Sequence, residues 1–301
     1  MNIIKYKNWY FALSLLVIVP GIVAMLLWGL NLSIDFTSGT LLTLSFNNTV
    51  SDTQVQAVKG ALKNTGLKAP SVEKSGKLIF VRTSPMNQNQ DAKFLGILSK
   101  EYKDVKEQES QTTGPAIGQE TAWNAFKAVA IASILIILYI TWSFREVPKP
   151  ASSFRFGVCA IIALIHDVLV VVGIFAILGH FFAVQIDSLF VTAILTIIGF
   201  SVHDTIVVFD RIRENLRKVG GKDFPKTVND SIIQTIDRSL NTSLTVFLVL
   251  IALLLFGGES IRWFVVALLI GIISGTYSSI FNASALLVLW HEVSEKKKLK
   301  K

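Results

Sequence analysis

Long apolar runs separated by short charged stretches dominate the chain. Six of them approach or reach the length that crosses about 30 Å of hydrocarbon as a helix. They are Trp9–Leu30, Phe126–Phe144, Phe156–Leu178, Leu189–Phe209, Leu240–Phe256 and Trp263–Trp290. Between the first two, residues 31–123, the pattern shifts to short alternating runs and amphipathic segments. It predicts a strand at Thr40–Phe46, a helix at Ser51–Thr65, and strands near Ser71–Glu73 and Lys77–Thr83. A helix at Gln90–Tyr102 and a strand at Val105–Thr112 follow. Ser51 and Asp52 suit a helix N-cap, Gly66 its C-cap, and Ser75-Gly76 a hairpin turn. The order βαββαβ is the ferredoxin-like plan. The expected fold is thus an α-helical polytopic membrane protein with six transmembrane helices and an α+β ferredoxin-like domain between the first two. Its expected segments are 1–30, 31–123, 124–290 and 291–301.

Composition agrees with that pattern. The 301 residues are 51% hydrophobic with mean hydropathy +0.55, outside the range of soluble domains. The first run is too long for a signal-peptide core and no small-residue cleavage site follows it, so it is expected to stay as an anchor. The one cysteine, Cys159, excludes disulfides within the chain.

The net charge of +8 changes the picture through its distribution. Lys5 and Lys7 precede the first run, Arg145, Lys149 and Arg155 join the second to the third, and six Lys or Arg between Arg211 and Lys226 follow the fourth. Five lysines close the chain, whereas the connections 179–188 and 257–262 hold one basic residue, Arg262. The positive-inside rule then puts both termini in the cytoplasm and residues 31–123 outside. The basic surplus reports topology, and no nucleic-acid partner is expected. Residues 210–238 read as cytosolic, with Gly220-Gly221 as a turn, Pro225 opening a helix, and Asp230–Asp237 lying along the membrane surface. The lysine-rich tail after Glu295 reads as disordered and attracted to the lipid bilayer.

Residues 31–123 hold no paired carboxylates, nucleophile constellation, metal cluster or phosphate loop. A ferredoxin-like plan by itself indicates no function. A docking or handle domain is the reading, and no enzyme is expected.

The candidate chemistry lies in the spans. His203-Asp204 interrupts the fourth run and His166-Asp167 the third. At 1.5 Å per residue, Asp167 sits roughly 18 Å in from Arg155 and Asp204 roughly 10 Å in from Arg211. Ionisable groups at such depth mark ion or proton pathways by default. Leaving water disfavours a carboxylate's charged form, bringing proton exchange toward neutrality, where histidine also titrates. Interhelical polar contacts return under about 1 kcal/mol on average, little for burying a charge. Asp204 is therefore the leading ion-coupling residue, with Asp167 and His203 beside it. Neighbours in sequence project about 100° apart, so neither histidine need touch its aspartate. Asp210 is expected to pair with Arg211. Arg238 either reaches toward Asp204 or snorkels to headgroups. Gly271, Gly275 and Ser279, with Ser274, Ser278 and Asn282 beside them, form a small-residue stripe for close packing, and Gly199 is expected to serve likewise.

These strings resemble the SecD/SecF family of the resistance-nodulation-division superfamily. Ile34–Gly39, with Asp35, Phe36 and Gly39, resembles its IDFxGG signature, and His166-Asp167-Val168 its third-span HDV element. Ile198–Asn215 resembles its long fourth-span signature, and Phe256-Gly257-Gly258 extends the match. The resemblance implies a multi-pass protein of the bacterial cytoplasmic membrane that works with SecD beside the SecYEG channel, after SecA. It would use the proton motive force, or sodium, to draw preproteins outward, with no bound cofactor. It places the family's coupling aspartate at Asp204, an associated arginine at Arg238 and a hinge at the signature. Ser38 stands where the signature has glycine, and His203 where asparagine usually precedes the aspartate. A SecD half is expected on a separate polypeptide. Two other readings are a half-transporter for a small molecule or lipid and a structural clamp of the translocon without ion flux.

Overall fold

The computed structural model describes residues 2–65, 67, 71–148, 150–219 and 223–299. In chain order the helices and strands are α1 (Lys7–Trp28), α2 (Ile34–Thr37), β1 (Gly39–Ser45), α3 (Asp52–Asn64), β2 (Ser71–Ser75) and β3 (Leu78–Thr83). Then come α4 (Gln88–Glu101), β4 (Lys106–Thr113), α5 (Pro115–Ser143), α6 (Ser153–Phe182), α7 (Ser188–Val219) and α8 (Phe224–Phe256). The last span is α9 (Arg262–Tyr277), a π-helical segment Ser278–Ala283, and α10 (Ser284–Leu299). Two compact units result: Leu32–Phe126, and the residues before it joined to those after it.

The first unit is a four-stranded sheet in the order β2-β3-β1-β4, every neighbouring pair antiparallel. Alternation puts Leu42 and Leu44 of β1 and Ile79 and Val81 of β3 on one face, all fully buried. Val58 and Leu62 of α3 and Phe94 and Leu98 of α4 close over them. Both helices start in capping boxes, Ser51 with Gln54 and Asn87 with Gln90. β4 is polar and mostly exposed, which discourages further strand pairing. The hairpin turn is Gly76-Lys77, one residue later than expected, with Gly76 at φ 56° where glycine costs nothing. Gly66 lies outside the described residues.

α2 carries the signature. Ser33 Oγ accepts from the Asp35 amide at 3.1 Å, and Asp35 and Phe36 are half-buried. At Gly39, φ is 140° and an added Cβ would lie 2.5 Å from the Thr83 carbonyl oxygen, so the position demands glycine. Ser38 adopts φ 66°, ψ 159°, a region almost reserved for glycine. That strain, less the entropy a glycine adds to the unfolded chain, makes Ser38→Gly stabilising by about 1 kcal/mol. A raised thermal midpoint of the full chain in micelles checks it; a lowered one means the seryl side chain compensates.

Among the described residues of the whole chain, six helical stretches are long and apolar enough to cross a membrane. They outrun the apolar runs: α5 starts at Pro115, α7 continues to Val219, and α8 starts at Phe224. Hydropathy marks where lipid ends, whereas a helix continues into water if its residues allow. Asp230–Asp237 therefore extends the fifth span instead of forming a separate surface helix, and Pro225 sits in its first turn. Likewise α10 carries the lysine-rich segment as helix to Leu299. Gly220-Gly221 lies outside the described residues.

In this second unit α1 packs on α6, and α7, α8 and α9 pack on one another. α1 and α6 meet at Gly21 and Gly173, where a Cβ added to Gly173 would lie 2.7 Å from Gly21 Cα. Gly271 faces Ile197, and a Cβ at Gly275 would lie 3.0 Å from Ser201 Cβ, so α9 approaches α7 through its small residues. Gly199 is different. It is exposed, and a Cβ there would meet nothing within 4 Å.

Candidate functional site

The close approach of α9 sets its hydroxyls against two buried carboxylates. Asp167 on α6 and Asp204 on α7 are each 1% exposed. Their surroundings differ. Asp167 Oδ1 accepts from Ser274 Oγ at 2.8 Å and lies 3.0 Å from His166 Nδ1. Its Oδ2 accepts from Ser201 Oγ at 2.5 Å and Ser278 Oγ at 2.7 Å. Ser274 and Ser278 stand four residues apart, hence on one helix face. Among the described residues Asp204 has only Ser243 Oγ of α8 and Thr276 Oγ1 of α9, both at 3.4 Å from Oδ2. Those two hydroxyls bond each other at 2.6 Å. Asp167 is thus saturated by short hydrogen bonds, while Asp204 is buried with weak ones.

The π-helical segment turns successive polar residues toward different neighbours, a geometry frequent at functional sites. Ser278 reaches Asp167 on α6, Ser279 reaches Thr205 Oγ1 (2.8 Å) and the Ser201 carbonyl (3.1 Å) on α7. Asn282 Nδ2 donates to Ser14 Oγ on α1 at 2.7 Å. Ser14 also lies 3.0 Å from His166 Nε2.

His203, Arg238 and Asp210 lie away from the two buried carboxylates. His203 is exposed on the outer face of α7, turned from Asp204 by the 100° step between adjacent residues. Arg238 is exposed and forms no ion pair among the described residues. It lines a cleft of about 320 Å³ with Val207, Asp210, Arg211 and Glu214. Asp210 pairs with Arg213 at 2.5 Å, not Arg211, which pairs with Glu214 at 2.6 Å; residues three apart share a helix face and adjacent ones do not. By contrast His166 does touch Asp167, its imidazole being long enough to fold back. Ser14, Ser243 and Thr276 escaped the sequence reading. Ser14 carried a signal, as the only Ser, Thr, Asn or charged residue within the run Trp9–Trp28.

Residues 94–293 match the family model "Protein export membrane protein SecD/SecF, C-terminal", and residues 29–50 match "SecD/SecF GG Motif". The chain belongs to the SecD/SecF family. Protein translocase subunit SecF of Thermobaculum terrenum is 48% identical, over 96% of this chain and 94% of that protein. Protein translocase subunit SecDF of Bacillus subtilis is 35% identical over 94% of this chain, which spans only 37% of that longer protein. The crystal structure of SecDF from Thermus thermophilus, described as a translocon-associated membrane protein, superposes with TM-score 0.85 at 34% identity. That match covers 97% of this chain and 39% of the other. Both carboxylates lie within the stretch matched to the SecD/SecF C-terminal model, and the strained Ser38-Gly39 turn within that matched to the GG motif. As a SecD/SecF protein with six apolar helices, the chain is a multi-pass membrane protein.

Proposed function

We propose that this chain is the SecF-type subunit of the bacterial protein-export machinery, drawing on a proton or sodium gradient late in preprotein export. The carrying observation is Asp204, buried in a span within the stretch matched to the SecD/SecF C-terminal model, with two 3.4 Å hydroxyl contacts its only hydrogen bonds among the described residues. Asp204 is the ion-coupling group and Asp167 its hydroxyl-bound companion, while His203 of α7 and Arg238 of α8 are exposed. The SecDF relatives, in which the matching region is part of a longer chain, support a SecD-type partner; SecYEG beside it and SecA acting earlier complete the proposal.

Sheet order and connections support the ferredoxin-like plan for residues 32–113. The distribution of Lys and Arg supports an extracytoplasmic position for that unit and cytoplasmic termini. The Ser38-Gly39 turn then acts as the hinge at the domain's entry.

The test is precursor release in vesicles holding the chain with its SecD-type partner, the translocon and its motor. A proton gradient and a sodium gradient are imposed in turn. Faster release with one of them supports the reading and names the ion; indifference to both overturns it.

A further inference from the structure

Sequence singled out His166 without giving it a partner, and the structure supplies two. Its Nδ1 lies 3.0 Å from Asp167 Oδ1 and its Nε2 3.0 Å from Ser14 Oγ. Ser14 is 8% exposed and Asn282 4% exposed. Asn282 Oδ1 accepts no hydrogen bond among the described residues, although it is buried. The ionisable groups around this imidazole are Asp167 on its own helix, Tyr277 of α9 with its ring 6.3 Å away, and Tyr10 of α1. Tyr277 donates its hydroxyl hydrogen to the Tyr10 carbonyl at 2.8 Å, and its oxygen is a further hydrogen-bonding neighbour of Ser14. Ser274, Ser278 and Ser201 complete the acceptor sites of Asp167.

Ser14 has one hydrogen to give and already accepts from Asn282 Nδ2. With His166 neutral, that hydrogen goes to Nε2, and Nδ1–H donates to Asp167. A proton arriving from water at Nε2 turns that nitrogen into a donor. Ser14 must then accept from it and place its own hydrogen elsewhere. The orphaned Asn282 Oδ1 supplies one acceptor once the amide rotates about its Cβ–Cγ bond, beside the Tyr277 hydroxyl oxygen. Each arrangement leaves one atom of the amide unpaired. No covalent bond changes except the N–H formed by the incoming proton.

We propose that His166, Ser14 and Asn282 form a proton-responsive relay joining α6, α1 and the π-helical segment, in which protonation of His166 reverses the hydrogen-bond direction. It deepens the ion-coupling reading and rests on it. It gives the first span, which leads directly into the α2–β1 segment, a way to register protonation beside Asp167. The unpaired amide oxygen is what a static packing contact leaves unexplained and a two-state chain requires.

The experiment is nitrogen NMR of the full chain with its SecD-type partner in lipid bilayers, labelled at histidine and asparagine side chains. It is titrated from about pH 8 to about pH 5, the range in which histidine charges. The expected result is His166 as the Nδ1–H tautomer at high pH, then protonation at Nε2, with the Asn282 side-chain nitrogen shifting in the same titration. Ser14→Ala should abolish the Asn282 response and leave His166 titrating. An Nε2–H tautomer at high pH, or an Asn282 signal indifferent to His166, overturns the relay. Because this readout needs no export, its failure leaves the role of Asp204 standing. Normal export by an Asp204→Asn variant would remove the coupling reading without touching these signals.

Discussion

Cells whose only copy carries Asp204→Asn are expected to export precursor no faster than cells lacking the subunit, with the complex still assembled. Asparagine keeps the volume of aspartate and still accepts hydrogen bonds, so only ionisation is lost. The structural cost is small because the Ser243 and Thr276 contacts are long, at 3.4 Å. Interhelical polar contacts in membranes average about 0.6 kcal/mol, which bounds what weakening two of them removes. Under the proposed function, what is expected to disappear is the coupling. One charge crossing the membrane potential carries about 2.3 kcal/mol per 100 mV, enough to bias a conformational step roughly fiftyfold. Precursor export is measured alongside co-purification of the SecD-type partner. Export at the normal rate would make Asp204 a structural charge and favour a clamp without ion flux.

Asp167→Ala is expected to act in the opposite way, through stability. It removes the acceptor for Ser201, Ser274, Ser278 and His166 at once, all bonded at 3.0 Å or less. Each buried donor left without a partner costs about 1–3 kcal/mol. Serines in helices recover part of that by donating to a carbonyl in the preceding turn; Ser278 already lies 3.2 Å from the Gly275 carbonyl oxygen. A net loss of about 2–4 kcal/mol follows, a large share of the 5–15 kcal/mol typical of a folded protein. Denaturation midpoints of the purified chain in micelles compare it with Asp204→Asn. Equal midpoints would show that the serine cradle does not hold α6, α7 and α9 together.

The elements were readable to within a few residues where local rules decide. The alternation Leu42-x-Leu44 and Ile79-x-Val81 marked the sheet's inner face, and Ser51 marked the start of α3. Helix ends in the spans were read short, because polar segments such as Phe224–Ser239 prolong a helix that hydropathy stops counting. Asp167 and Asp204 stood out because a carboxylate in an apolar run has no inexpensive surroundings. Their partners did not stand out. Ser243 and Thr276 look like ordinary polar positions until α8 and α9 are set against α7.

Sequence alone therefore determined what depends on period and solvent: six spans, an alternating sheet with two covering helices, the basic faces, and the carboxylates that lipid cannot accept. Tertiary structure alone decided which face of each helix meets which neighbour. His203 and Asp204 differ by one residue and about 100°, and only the approach of α9 through Gly271 and Gly275 turns one inward and the other out. The same helix brings Ser274 and Ser278 to Asp167. The pattern along a helix specifies its faces; the rotation and spacing between helices, set by small residues far apart in the chain, assign the partners.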